Sequence, residues 1–301
     1  MSAAGQRNRA GPWANSGHAH ARTWTSAGFR ASIDIPAQTV TFTKSGTGKS
    51  LRNVASEPRR PQAASETNSD RLIANQERYF ADSYARFLEF GGPCIYFHEE
   101  CLKAGDNAFL STRHIESLYA TLTAWGMHRL GTKAKLVDWE VFRKSIEGCG
   151  RAVDHLRQTK LLDVSKPDYD DILKQLAPAY RRLRVSTSDA TIVANSKALF
   201  HLLPNLIPPV DRQYTIRFVR YGPSRWKRHG KFTMIMLPGD AEAQFDLFRS
   251  VCTEIKRLAD EVQRSVLDRE YREHGVTAPK AIDNAIVNYV RIESNGAIEP
   301  E

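Results

Sequence analysis

The sequence predicts an all-α fold: a compact multi-helix domain of about nine or ten helices, or two helical lobes, behind a disordered N-terminal tail. Three observations predict it. From Ser69 onward, apolar residues recur at three- and four-residue spacing almost without interruption. Ser, Asp, Thr or Pro stands before most of these stripes and Gly or Pro after them, as helix starts and stops require. Only Phe232–Leu237 reads as a strand, and a lone strand has nothing to pair with.

Taken in order, Ser69 caps a first helix carrying Ile73, Phe80, Tyr84 and Phe87 on one face, stopped by Gly91-Gly92. Pro93 suits the first turn of a second helix ending near Gly105. Ser111 opens a helix striped with Ile115, Leu118, Tyr119, Leu122 and Trp125, ended by Gly131. Gly126 lies inside that helix, and close packing is the expected reason for tolerating its cost. Asp138 caps the next, with Trp139, Phe142, Ile146, Cys149, Val153 and Leu156. Ser165 precedes Lys166-Pro167 and a stripe of Ile172, Leu173, Leu176, Tyr180 and Leu183.

Ile192, Val193, Leu199, Phe200 and Leu203 mark a further helix that stops at Pro204. Pro208-Pro209 exclude helix, and Asp211 is an N-cap for a short helix through Phe218. A long helix follows Asp240 and buries Phe245, Phe248, Val251, Ile255, Leu258, Val262 and Val266. Thr277 and Pro279 start the last one, with Ile282, Ile286, Tyr289 and Val290 inward. The expected organisation is therefore a tail over 1–68, a helical domain over 69–291 and a C-terminal tail over 292–301.

The tail is rich in Ala, Ser, Gly, Thr and Arg and has no helical periodicity, so it buries too little to offset its ordering entropy. Its Arg and Ser content suits a transit peptide, but it lacks the amphipathic stripe. A start further downstream would need a non-Met codon, since no Met lies between Met1 and Met127. Ser45-Gly46-Thr47-Gly48-Lys49-Ser50 imitates a phosphate-cradling loop. Thr43 stands where that loop needs its first glycine, and Pro58 and Pro61 interrupt the helix that should follow. The sequence therefore asks for no nucleotide, and no other cofactor is expected. No run of 18 apolar residues exists, which excludes a membrane-spanning helix, and four cysteines in 301 residues suit a reducing cytoplasm better than a disulfide framework.

The net charge of +9 is unevenly spread. Residues 1–69 hold nine Lys or Arg against three acids, while the remainder holds 34 against 31. A body so nearly balanced is no general polyanion binder, so any nucleic-acid surface must come from local segregation. Residues 212–239 supply it. Arg212, Arg217, Arg220, Arg225, Lys227, Arg228 and Lys231 occur with no acid, interleaved with Tyr214, Phe218, Tyr221 and Trp226. Cations meet phosphates and rings stack on bases, so this segment, Trp226 included, is the candidate nucleic-acid interface. The alternative is a solvated linker paired with acids such as Asp240, Glu242 and Asp246.

Two further clusters carry chemistry. Cys94, His98 and Cys101 fall at i, i+4 and i+7, so one helical face could offer three zinc ligands, with His114 folding back as a fourth. Cysteines at that spacing also suit an ordinary core, and no metal is expected. Trp125-Gly126-Met127-His128-Arg129, with Lys133 and Lys135 beyond, puts cations at a helix C-terminus, where the dipole favours them.

The stretch Ile192-Val193-Ala194-Asn195-Ser196-Lys197-Ala198-Leu199-Phe200-His201-Leu202-Leu203-Pro204-Asn205-Leu206-Ile207-Pro208-Pro209-Val210-Asp211, with Trp125–Arg129 and Pro279–Ile286, resembles a bacterial family of uncharacterised helical proteins over about residues 70–291. A fainter likeness reaches the helix-hairpin-helix DNA glycosylases, which have a Lys near a helix start, a Pro-rich turn and an Asp opening the next helix. That resemblance implies catalytic roles for Lys197 and Asp211: the amine attacks a sugar C1′ and forms a Schiff base, while the carboxylate stabilises charge or orients water. The glycine hairpin of those enzymes is absent, since Ala194-Asn195 precedes Ser196-Lys197, and their Lys-to-Asp separation is longer than the fourteen residues here. The competing expectation is a non-catalytic helical module that binds a protein partner, in which Asp211 caps a helix and Lys197 points into solvent.

Overall fold

The computed structural model describes residues 66–127, 135–228 and 231–296, the side chains of Ser224, Arg228 and Asn295 aside. They belong to one unit, Pro61–Glu301. The phosphate-loop imitation, the disorder expected before residue 66, and His128, Arg129 and Lys133 lie outside the described residues.

Twelve α-helices make up most of the described residues. They are α1 (Asn68–Ala74), α2 (Gln76–Ala81), α3 (Ser83–Leu88), α4 (Gly92–Asn107), α5 (Thr112–Ala124) and α6 (Trp139–Val153), then α7 (Lys166–Arg182), α8 (Ile192–Leu202), α9 (Thr215–Arg220), α10 (Ala241–Glu261), α11 (Arg264–His274) and α12 (Ala278–Gly296). The all-α expectation holds, and the higher count comes from two expected helices that break. The first divides into α1, α2 and α3 at Asn75 and Asp82, whose backbones leave the helical region. Asn75 turns its side chain back to the Arg71 carbonyl at 3.0 Å, competing with the helical ladder. The breaks let α2 and α3 wrap against α12. The long helix after Asp240 breaks at Val262, which is extended, and the Gln263 N–H is taken by Gln76 Oε1 at 2.8 Å. Val266 still reaches the core, but from α11.

Most caps fall where the sequence puts them. Ser111, Asp138, Ser165 and Asp240 each accept a first-turn N–H. At the start of α1 the cap is Thr67 rather than Ser69, in a reciprocal capping box with Asp70. Gly126 is not inside α5: the helix ends at Ala124, and Gly126 takes φ +82° in the turn that follows. A Cβ there would meet nothing within 4 Å, so backbone conformation and not close packing requires the glycine. The strand expected over Phe232–Leu237 does not form, residues 233–237 being irregular; only Lys231–Phe232 (β2) pairs, antiparallel with Lys227–Arg228 (β1) in a two-residue ribbon. The last helix runs through Gly296, past the boundary expected at 291.

Two helices organise the core. Every residue of α8 is buried, its polar ones included, and α4, α5 and α10 pack around it. α12 is enclosed by α2, α3, α9, α10 and α11, with Ala281, Ile282, Ala285, Ile286, Tyr289 and Val290 wholly inaccessible. Among the described residues, no helix is long and apolar enough to cross a membrane.

Candidate functional site: a lysine-floored cavity between α8 and α12

The Pro-rich turn after α8 is tied back onto the helix it leaves. Ser196 Oγ accepts the Val210 N–H at 3.1 Å, fourteen residues on. Lys197 and Asp211 are the next residues on each side, so this one bond sets their register: Lys197 Nζ lies 3.7 Å from Asp211 Oδ2. Lys197 does not point into solvent; it is 8% exposed. Asp211 is not the N-cap expected of it, since α9 begins at Thr215 with Tyr214 at the cap position; its Oδ1 instead closes the preceding turn, accepting the N–H groups of Gln213 and Tyr214 at 2.7 and 3.3 Å. One carboxylate oxygen therefore closes the turn and the other faces Lys197.

A second ion pair stands beside the first. Lys280 Nζ meets Asp283 Oδ2 at 2.9 Å in the first turn of α12, both side chains 8% exposed. Thr215 joins the two pairs: its hydroxyl accepts the Asp211 N–H at 3.1 Å and donates to Asp283 Oδ1 at 3.2 Å. The result is one continuous polar chain, Lys197–Asp211–Thr215–Asp283–Lys280, whose two ion pairs line a cavity of about 300 Å³ while Thr215 joins them from behind the wall. The remaining wall is largely apolar and aromatic, with Phe87, Phe90, Trp125 and Tyr214.

Trp125 carries both ammonium groups near its ring, Lys197 Nζ at 5.3 Å and Lys280 Nζ at 5.8 Å from the centroid. Its indole N–H donates to the Cys94 carbonyl at 3.1 Å, and the rings of His98 and His201 pack behind it at 5.4 and 5.1 Å. Those histidines are themselves joined, His98 Nδ1 to His201 Nε2 at 3.1 Å, and His201 Nδ1 lies 2.8 Å from the Lys197 carbonyl. A ring nitrogen beside a carbonyl oxygen must donate, so His201 is protonated on Nδ1 and His98 donates to its Nε2. Burial holds both well below the ordinary imidazole range, His98 at about 2 and His201 at about 3, so both are neutral. This neutral pair fixes the back of the cavity.

The three candidate zinc ligands do not converge. Cys94 reaches the Ala124 carbonyl, His98 is committed to His201, and Cys101 is fully buried with its thiol pushed above its ordinary range by burial. His114 is also buried and takes the Leu110 N–H. Among the described residues no group of three or more His, Cys, Asp or Glu is placed to hold a metal ion. All four cysteines are free thiols.

The basic segment divides. Arg217 and Trp226, expected on a nucleic-acid surface, are in the interior at 0% and 1% exposed. The reason is structural: the Arg217 guanidinium donates to the carbonyls of Gln213, Trp226 and Thr233 and to the Gln213 side chain, pinning the β1–β2 ribbon to α9. Trp226 donates its indole N–H to the Tyr221 carbonyl and packs edge-on against Tyr289. Lys227 is half-buried and bonds the Ser294 carbonyl at 2.7 Å. Arg212, Arg220, Arg225 and Lys231 are exposed. Only Arg212 adjoins the cavity through the chain; the ribbon sits at the far end of α12, about 21 Å from Lys280 at 1.5 Å per residue.

Lys280 and Asp283 were given no site role by the sequence, and Phe87 and Trp125 were read as core positions of their helices. Lys280 and Asp283 stand at i, i+3 on the side of α12 away from the stripe of Ile282, Ile286 and Tyr289, so apolar periodicity did not mark them as buried. No protein-family model, curated protein or solved structure matches the chain.

Proposed function

We propose that this protein binds nucleic acid, receives a nucleobase turned out of its stack in the α8–α12 cavity, and cleaves the glycosidic bond with Lys197 as nucleophile. One observation carries the reading: an amine and a carboxylate from two elements meet at 3.7 Å in the wall of an aromatic cavity of nucleobase scale. Asp211 is the group beside the ammonium that can take its proton. The freed amine adds to C1′ and the C1′–N bond breaks, its electron pair leaving with the base, which picks up a proton. Opening of the sugar ring gives a Schiff base to Lys197, and water hydrolyses it. Asp211 also faces the positive charge that develops at the sugar. The exposed Arg212, beside Asp211 in the chain, is available to the phosphate backbone.

The test is reductive trapping. Full-length protein incubated with borohydride and DNA carrying an aldehydic abasic site is expected to form a covalent adduct that disappears in Lys197→Ala. Absence of an adduct in the wild type, or its persistence in Lys197→Ala, sinks the assignment.

One observation favours a second reading, a protein-interaction module. From the last residue of the ribbon onward, Phe232, Met234 and Met236 are 41%, 76% and 73% exposed while Ile235 is buried. An apolar row on alternate residues is an ordinary peptide-docking edge. Loss of trapping together with loss of salt-dependent DNA binding would leave this reading standing.

A further inference from the structure

Among the polar groups left unused around the cavity, donors predominate. Asp283 is consumed at both oxygens, by Thr215 and Lys280. Asp211 is consumed by two backbone N–H groups at one oxygen and faces Lys197 with the other. Each ammonium has three N–H groups and directs one at its carboxylate, so N–H groups of Lys197 and Lys280 remain for a guest. Two further groups have no hydrogen-bond partner among the described residues: the Asn284 side-chain amide Nδ2 and the Ser83 hydroxyl. Both residues line the cavity and are 2% and 1% exposed. Buried polar groups of this kind are costly to leave unmatched, and their natural complement is a ligand that accepts.

Charge narrows the ligand further. The two lysines are offset by the two aspartates, so the cavity as a whole gains nothing from an anionic guest. Lys280 Nζ also lies 4.2 Å from the Phe87 centroid, so its carboxylate partner and this ring hold it in place as a fixed donor. Aromatic side chains elsewhere in the wall offer faces to a flat ring.

We propose that the cavity selects a neutral, keto-bearing nucleobase, whose carbonyl oxygens accept from Lys280 and Asn284, over the base that carries an amino group at the same position. An exocyclic amine would place donor against donor in a buried site. This deepens the function proposed above and rests on the cavity taking a base. It needs no covalent step, so the two stand or fall in separate experiments.

The test uses full-length protein and free nucleosides, which carry no phosphate and so ignore the basic tail. Calorimetric titration should show uridine binding at least about tenfold more tightly than cytidine, and inosine likewise over adenosine. Lys280→Met and Asn284→Leu should each narrow both gaps, with circular dichroism checking that the fold persists. Lys280→Met leaves Asp283 unpaired, so Lys280→Met combined with Asp283→Asn is the companion variant if the single one unfolds. Equal binding within both pairs, preference for the amino member, or no binding of any of the four at millimolar concentration overturns the inference; the wild-type comparison decides this without any variant. Failure of borohydride trapping alongside a uridine preference would remove Lys197 as nucleophile and leave the selectivity intact.

Discussion

The two ends of α12 are built from the same ingredients and put them to different uses. At its N-terminal end, Lys197 and Lys280 lie over Trp125 and line an open cavity. At its C-terminal end, Arg217, Lys227 and Trp226 sit with Phe232 and Tyr289, and the fold consumes them: Arg217 bonds backbone carbonyls, Lys227 the Ser294 carbonyl, Trp226 the Tyr221 carbonyl. In composition the second region looks the more like a binding surface, because its cations are dense and its acids absent. What separates the two is whether a cation's donors are already satisfied. A guanidinium with five donors satisfies several carbonyls at once and so makes a good internal clamp, whereas an ammonium paired to one carboxylate keeps donors free.

The largest effect that would break this comparison is on stability at the ribbon. Arg217→Met should cost about 3–5 kcal/mol in urea unfolding, because it strands the carbonyls of Trp226 and Thr233 in the interior. If Arg217 is instead a surface cation, the loss will be within about 0.5 kcal/mol and only DNA affinity will fall.

The next effect belongs to the cavity end. His98 and His201 titrate at about 2 and about 3 in the folded protein, against 6.5 for a free imidazole. The unfolded chain therefore binds their protons first, and stability falls as pH drops below about 6.5. Between pH 7 and pH 5 each should remove about 2 kcal/mol. The groups that face the pair, Lys197 and Lys280 as cations and His114 as a third neutral imidazole, all oppose protonation. Urea titrations at several pH values read the slope, and a flat profile would mean that these histidines are solvated.

The smallest effect sharpens the picture of the cavity mouth. Gly126→Ala should cost about 1–2 kcal/mol through its positive φ alone, since its Cβ would meet no neighbour. A larger loss, accompanied by a changed Trp125 fluorescence, would show that the turn also sets the indole.

The sequence carried the helices well and the clusters less well, for reasons visible in single residues. Periodicity reports which face of a helix is buried, so α4 to α8 could be read from their stripes and caps. It does not report where a helix breaks when a neighbour takes the freed N–H, as Gln76 does for Gln263, nor that Asn75 and Asp82 let α2 and α3 bend around α12. The pairing of Lys197 with Asp211 was legible only through resemblance, and the Ser196–Val210 bond is what realises it. The second pair, Lys280 with Asp283, escaped notice because two charges at i, i+3 on a helix usually describe a solvated face.

By itself, then, the sequence determined the all-α class and most helix boundaries, because apolar spacing and capping are local. Only the tertiary structure decided which cations face a cavity and which clamp a ribbon. That choice depends on which carbonyls and carboxylates distant parts of the chain bring within about 3 Å, and no local pattern encodes it.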